Sequence, residues 1–108
     1  MPIVKVPNPL KIGMYVFRIV ANHILPLSVA GCYGSIDPTT EELHLAVGLT
    51  SIQRHATLNH EVLHQISRNY CCGLDEATVD RLAEGLTDFQ RDTLGIELDW
   101  SEIDANNS

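Results

Sequence analysis

The hydrophobic period of this 108-residue chain changes once, at Gly48. Before it the apolar residues alternate, as on a strand with one buried face. Residues 11–20 are rich in β-branched and aromatic residues and put Tyr15, Phe17 and Ile19 on one side. Residues 42–48 put Leu43, Leu45 and Val47 on one face and Glu42, His44 and Ala46 on the other. Residues 29–36 read as a further strand, weakened by Gly31 and Gly34, with a turn at Asp37-Pro38-Thr39-Thr40. After Gly48 the spacing becomes helical. Thr50 or Ser51 can cap a helix running to about Tyr70, with the stripe Leu58, Val62, Leu63, Ile66 and Tyr70. Gly73 stops it, and Asp75 caps a second helix to about Thr93 that Gly95 ends. The second helix should bury Val79, Leu82, Ala83, Leu86 and Phe89.

Strands first and helices after imply an α+β fold, here a short three-stranded antiparallel sheet followed by two packed α-helices. Residues 1–9, with three prolines, read as an irregular arm, and residues 21–28 as a connection around Pro26. Residues 1–96 would form the single domain and 97–108 a flexible acidic tail, from which only Trp100 is expected to dock on the body.

Charge narrows the function. The net charge of −7 is unevenly spread. Residues 1–74 hold five basic and four acidic groups, and residues 75–108 two basic and ten acidic ones. Nucleic acid is a poor partner for such a chain, because phosphate binding needs a basic face. No apolar run approaches the roughly 20 residues needed to span a bilayer, so no membrane partner is expected. Met1-Pro2-Ile3-Val4-Lys5 lacks the layout of a secretion signal, so a cytoplasmic location is expected. Cys32, Cys71 and Cys72 are odd in number and match no zinc-finger spacing, which suits reduced, half-buried thiols. Oligomeric state is not legible.

The chemistry lies in His60-Glu61-Val62-Leu63-His64. Two histidines at i and i+4 on a helix share one face and can share one metal ion. The glutamate between them can reach a metal-activated water without being a ligand, and so serve as general base. At 100° per residue the apolar stripe of this helix centres about 140° from the two histidines, so they point toward a cleft. A catalytic zinc needs a third protein ligand and an open position. Three acidic residues of the next helix are available. Measured from its expected apolar face, Glu76 lies at roughly 90°, Asp80 at about 130° and Glu84 at about 170°, which favours Glu76.

The run Thr57 to His64, a short loop, then Glu76-Ala77-Thr78-Val79-Asp80-Arg81-Leu82-Ala83 resembles the IrrE/ImmA-type zincin peptidases, and most of all their short phage- and prophage-associated members. Glu76, Val79, Leu82 and Ala83 match that pattern, and the similarity covers about residues 11–94, with the HExxH segment its specific part. It implies one Zn2+ held by His60, His64 and Glu76, with Glu61 as catalytic base. It also implies a regulatory protease of narrow specificity, of phage origin and then at work in the host cytoplasm, acting on a protein or peptide substrate. A thermolysin-like pattern supplies the alternative third ligand Glu84, with Asp88 four residues further on. The third histidine of metzincins is absent, since Ser67 and Tyr70 stand in that stretch.

Tyr70 and His55 are the oxyanion candidates, being near the motif in sequence. Residues 42–48, with His44, are the candidate edge strand for pairing with extended substrate. So small a chain leaves little room for a deep specificity pocket. Two rival readings follow. One is a non-catalytic, metal-stabilised protein-binding module; the other is a peptidase whose C-terminal tail covers its own cleft.

Overall fold

The computed structural model describes residues 2–22 and 33–106. In chain order the elements are β1 (Ile3–Lys5), β2 (Leu10–Ile12), β3 (Tyr15–Asn22), β4 (Gly34–Asp37), β5 (Glu42–Ala46), α1 (Ser51–Asn69) and α2 (Glu76–Asp88). One π-helical turn (Phe89–Thr93), β6 (Glu97–Asp99) and α3 (Ser101–Asn106) complete the chain. The protein is an α+β domain.

The main sheet has four strands in the order β2-β3-β5-β4, and it is mixed rather than antiparallel. The β3–β5 pair is parallel, with Ile19 opposite Leu43, while β2–β3 and β4–β5 are antiparallel. Alternation reports which face of a strand is buried. It does not report the neighbour or its direction, and so the antiparallel expectation fails at the centre of the sheet. The predicted strand 11–20 is in fact a hairpin. Gly13, at φ 61°, and the fully exposed Met14 form its two-residue turn. Residues 29–32 of the other predicted strand lie outside the described residues; β4 follows at 34–37.

Phe17, Ile19, Ile36, Leu43 and Leu45 form the buried face of this sheet. Leu58, Val62 and Ile66 of α1 pack onto it. The α1 stripe stops one turn early, since Tyr70 caps the helix and is 66% exposed.

The two chain ends depart most from expectation. β1 pairs in parallel with β6, and Val6 N–H donates to Asp99 O at 2.9 Å. Trp100 and Ile103 are buried at 7% and 1% exposure, with Leu98 packed beside them. Arg54 of α1 lies over the Trp100 ring at 4.5 Å and pairs with Asp104. Asp99 Oδ1 accepts from Ser101 N–H at the start of α3. Residues 97–106 are therefore part of the body, not a loose tail. The acidic composition conceals an apolar triplet, Leu98, Trp100 and Ile103, with just enough spacing to fill the core. Cys71 and Cys72 are both exposed, against the half-buried reading, because they form the turn after α1, where Cys71 has φ 54°. Cys32 lies outside the described residues.

Ile103→Ala should lower the unfolding free energy by about 2–5 kcal/mol, the usual cost of emptying a packed core position. Urea denaturation reads this as a lower midpoint at unchanged slope. Glu97→Ala, at an exposed position, should stay within about 0.5 kcal/mol of the parent. Equal midpoints for the two variants would mean that the C-terminal segment does not pack.

Candidate functional site

α1 carries the HExxH motif, and its local sequence sets where it begins. Thr50 Oγ1 accepts from Gln53 N–H at 3.2 Å while Gln53 Oε1 accepts from Thr50 N–H at 3.0 Å, a reciprocal cap. One side of α1 lies on the sheet. The edge strand β4 approaches the motif closely at Gly34, where a Cβ would stand 2.7 Å from Thr57 Cγ2 and 2.9 Å from His44 O. No other residue fits there without displacement. The turn after α1 then brings back α2, capped by Asp75 Oδ1 accepting from Thr78 N–H at 2.8 Å.

The seam of α2 against α1 is Val79, Ala83 and Thr87, all buried. Leu82, Leu86 and Phe89, expected inside, are 46%, 37% and 50% exposed. The real contact face is turned by roughly 60° from the predicted one. α2 rests on one helix rather than in a core, so a narrow seam of small residues suffices. The rotation has a direct effect on the acidic residues. Glu76 now lies about 20° from the centre of the contact face and Asp80 about 60°.

Both therefore reach α1. Glu76 Oε1 is 2.8 Å from His60 Nε2, and Glu76 Oε2 is 2.8 Å from His64 Nε2. The two Nε2 atoms are 3.1 Å apart. On the far side of the first ring, His60 Nδ1 is 2.9 Å from Asp80 Oδ1. His60, Glu76 and Asp80 form one group of closely spaced ligand atoms, and His60, Glu61 and His64 another. His60 thus stands between two carboxylates, with Asp80 at Nδ1 and Glu76 at Nε2. Two imidazole nitrogens and a carboxylate facing one point are a donor set that could hold a divalent cation such as zinc.

Glu61 is 6% exposed, and its Oε2 has no hydrogen-bond partner. Burial holds its carboxyl above the usual carboxylate range, against the opposing pull of the His60 and His64 rings. An open cleft of about 1030 Å³ runs between β4 and the two helices. That is at the upper end for small-molecule sites, though the cleft is an open one rather than a deep pocket.

Not every predicted residue is in this cleft. Glu84 lines it but makes no contact with either histidine among the described residues. His44 does not line it. It sits on the sheet face opposite Leu43 and Leu45, with Nε2 3.1 Å from Glu42 Oε1. β5 has β3 on one side and β4 on the other, so it cannot pair with substrate; the edge beside the motif is β4. Tyr70 lies at the end of α1, outside the cleft. His55 is 2% exposed and turned the other way, with Nε2 2.8 Å from Gln90 Oε1 and Nδ1 3.4 Å from Arg91 Nη1. Asn59 Nδ2 donates to the same Gln90 oxygen and to Thr87 Oγ1, both at 2.9 Å. This network ties α1 to α2 and its π turn. Side-chain donors that do line the cleft include Tyr33, Ser35 and Arg68. Arg68, one turn beyond His64, could have been found from the same i+4 spacing that relates the two histidines. None of residues 97–104 is among those lining the cleft.

Comparison of the chain with protein-family models, with curated proteins and with solved structures finds no match. The likeness to zincin peptidases therefore rests on the chain's own residues, above all the HExxH segment of α1 and Glu76 to Ala83 of α2. No helix among the described residues is long and apolar enough to cross a membrane.

Burial lowers the pKa of His55 below its ordinary value, the hydrogen bond to Gln90 opposing the shift. The folded chain thus refuses a proton that the unfolded chain accepts below about pH 6.5. Stability should fall as the pH drops from 7 toward 5. In His55→Gln that part of the slope should flatten, as read by urea midpoints across the range. An unchanged slope would mean that His55 is not held neutral by the fold.

Proposed function

We propose that this protein is a zinc-dependent metallopeptidase of the HExxH type, similar to the IrrE/ImmA-type group. The observation that carries the reading is Glu76, whose two oxygens each stand 2.8 Å from one histidine Nε2. In this reading His60, His64 and Glu76 hold one ion, and Glu61 is the general base. Zinc, when bound, supplies Lewis-acid polarisation and makes water acidic near neutral pH. Glu61 Oε2, buried and unpaired, accepts the proton of the attacking water and returns it to the leaving amine. Asp80 fixes the ring of His60 through Nδ1 and makes its other nitrogen the better ligand. β4, the edge strand along the cleft, is the strand that an extended peptide would pair with.

One observation favours a second, non-catalytic reading. Glu61 shares a close ligand group with both histidines, and if it closed the coordination the site would be structural. Protein purified without chelator should carry about one zinc per chain by elemental analysis, lost in His60→Ala and in Glu76→Ala. Glu61→Gln separates the two readings: it should keep the zinc while peptide hydrolysis falls about 10²–10⁴-fold. Zinc retained with full hydrolysis would defeat the mechanism, and zinc lost with the carboxylate would make the site structural. Asp80→Asn should weaken zinc binding about 10–100-fold, measured by chelator competition.

A further inference from the structure

One arginine stands in the cleft, and the fold holds it in place. Arg68 follows His64 by one turn of α1 and so continues the face that carries both histidines. Among the described residues that line the cleft it is the one lysine or arginine, and the acidic groups there are Glu61, Glu76, Asp80, Glu84 and Asp88. Its Nη1 donates to Gln65 Oε1 at 3.1 Å and to Ile36 O of β4 at 3.4 Å. Gln65 is 1% exposed and is itself fixed. Its Nε2 donates to Asn69 Oδ1 at 2.8 Å, and Asn69 Nδ2 donates to Ile12 O at 3.2 Å. A chain of neutral groups, rooted in the β2–β3 hairpin and led by a buried amide, therefore orients the guanidinium. Among the described residues no carboxylate pairs with Arg68. The charge is positioned without being neutralised. Both of its hydrogen bonds use Nη1, which leaves Nη2 and Nε, the pair of donors that grips a carboxylate side-on. The guanidinium is also close enough to the motif for its charge to act on the Glu61 carboxyl.

The register of β4 shows what this arginine does to a bound strand. β4 pairs antiparallel with β5, and Ala46 N–H donates to Tyr33 O at 2.7 Å. Residues alternate along such a ladder, so Tyr33 and Ser35 direct their backbone groups at β5, and Gly34 and Ile36 direct theirs at the outer edge. Gly34 stands against α1 beside Thr57 and Glu61. Ile36 O, the next carbonyl on that edge, is taken by Arg68. A peptide laid along β4 thus meets a guanidinium where its next ladder hydrogen bond would fall. We infer that Arg68 binds a carboxylate of the peptide substrate, close to the bond that is cut. The inference rests on the peptidase reading and adds the substrate class. Arg68 lies about 6 Å beyond His64 along α1, and an extended peptide advances about 3.3 Å per residue. The carboxylate therefore belongs about one or two residues from the reacting bond. Two sources present the same pair of oxygens: the free C-terminus of the peptide, and an aspartate or glutamate side chain. The acidic groups along the rest of the cleft repel such an anion and so fix its place at Arg68.

The test measures binding to full-length Glu61→Gln protein loaded with zinc, so that turnover does not interfere. Fluorescently labelled extended peptides of one sequence carry either a free or an amidated C-terminus. A second set, all amidated, carries glutamate or glutamine at one position, which is then scanned. A carboxylate form should bind roughly tenfold tighter than its amide counterpart. An advantage in the first set identifies the chain end as the source, and one in the second set an acidic side chain; either supports the inference. Adding Arg68→Gln should abolish the advantage with the zinc content unchanged. Arg68→Lys, which keeps the charge without the fork, should restore part of it. Absence of any carboxylate advantage before Arg68 is changed overturns the inference. An advantage that survives Arg68→Gln overturns it too, by placing the carboxylate elsewhere. Equal weakening of carboxylate and amide peptides by Arg68→Gln also overturns it, by making Arg68 a clamp on β4 alone. Binding to metal-free His60→Ala protein, and cleavage by the unaltered zinc-loaded chain, separate this inference from the reading it rests on. An Arg68-dependent carboxylate preference in His60→Ala, with no peptide cleaved by the unaltered chain, would refute the peptidase reading and leave the anion site standing. Cleavage of carboxylate and amide peptides alike, unaffected by Arg68→Gln, would do the reverse.

Discussion

The contact of α2 with α1 is the interaction on which the rest of the molecule depends. It is made by Val79, Ala83 and Thr87 on one side, and it is narrow because these residues are small. Small residues let two helices approach closely. That closeness lets a glutamate on the first turn of α2 span both imidazoles of α1, and lets an aspartate one turn later reach the back of one ring. The polar network of His55, Asn59, Thr87 and Gln90 pins the same two helices further along. A bulky residue in the seam would move the carboxylates away from the histidines without touching either. The exposed Leu82 and Leu86 show how little of the helix's apolar surface the contact consumes.

The site also contains groups that work against the stability of the fold. Glu61 is buried with an unpaired oxygen, and burying a carboxylate without a full set of partners costs free energy. Gly34 occupies a place on β4 that any side chain would overfill, at a loss of backbone order in the unfolded chain. Concentrations of such features are expected where a protein does chemistry, because a site optimised for stability would pair or exclude those groups.

A chain of this size must make up the balance elsewhere, since small domains bury a smaller share of their surface. It does so with its two ends. β1 and β6 pair, Val6 joins the core, and Trp100 and Ile103 close it beneath the start of α1. Arg54, stacked on Trp100 and paired with Asp104, links this closure to the helix that bears the histidines. The acidic segment from residue 97 to 104 is thus a structural plug, and it contributes no residue to the cleft.

Much of this was written locally in the amino acids. The helix caps at Thr50 and Asp75, the stop at Gly95, the buried alternation of Phe17, Ile19, Leu43 and Leu45, and the one-face placement of His60 and His64 each depend on residues within one or two turns, whereas α1 ends at a left-handed Cys71 rather than at Gly73. Short-range geometry determines them, and so they could be read. The parallel pairing of β3 with β5, the interior place of His44, the inward turn of His55 and the docking of Trp100 depend instead on partners tens of residues distant. The choice between Glu76, Asp80 and Glu84 was of this second kind. A helix displays acidic residues over several faces, and only the helix it packs against decides which face turns inward. Sequence alone determined that two imidazoles and a carboxylate would share one side of a helix. Tertiary structure decided which other carboxylates would meet them, because that depends on the rotation of one helix against another, and the seam setting that rotation is made by long-range packing.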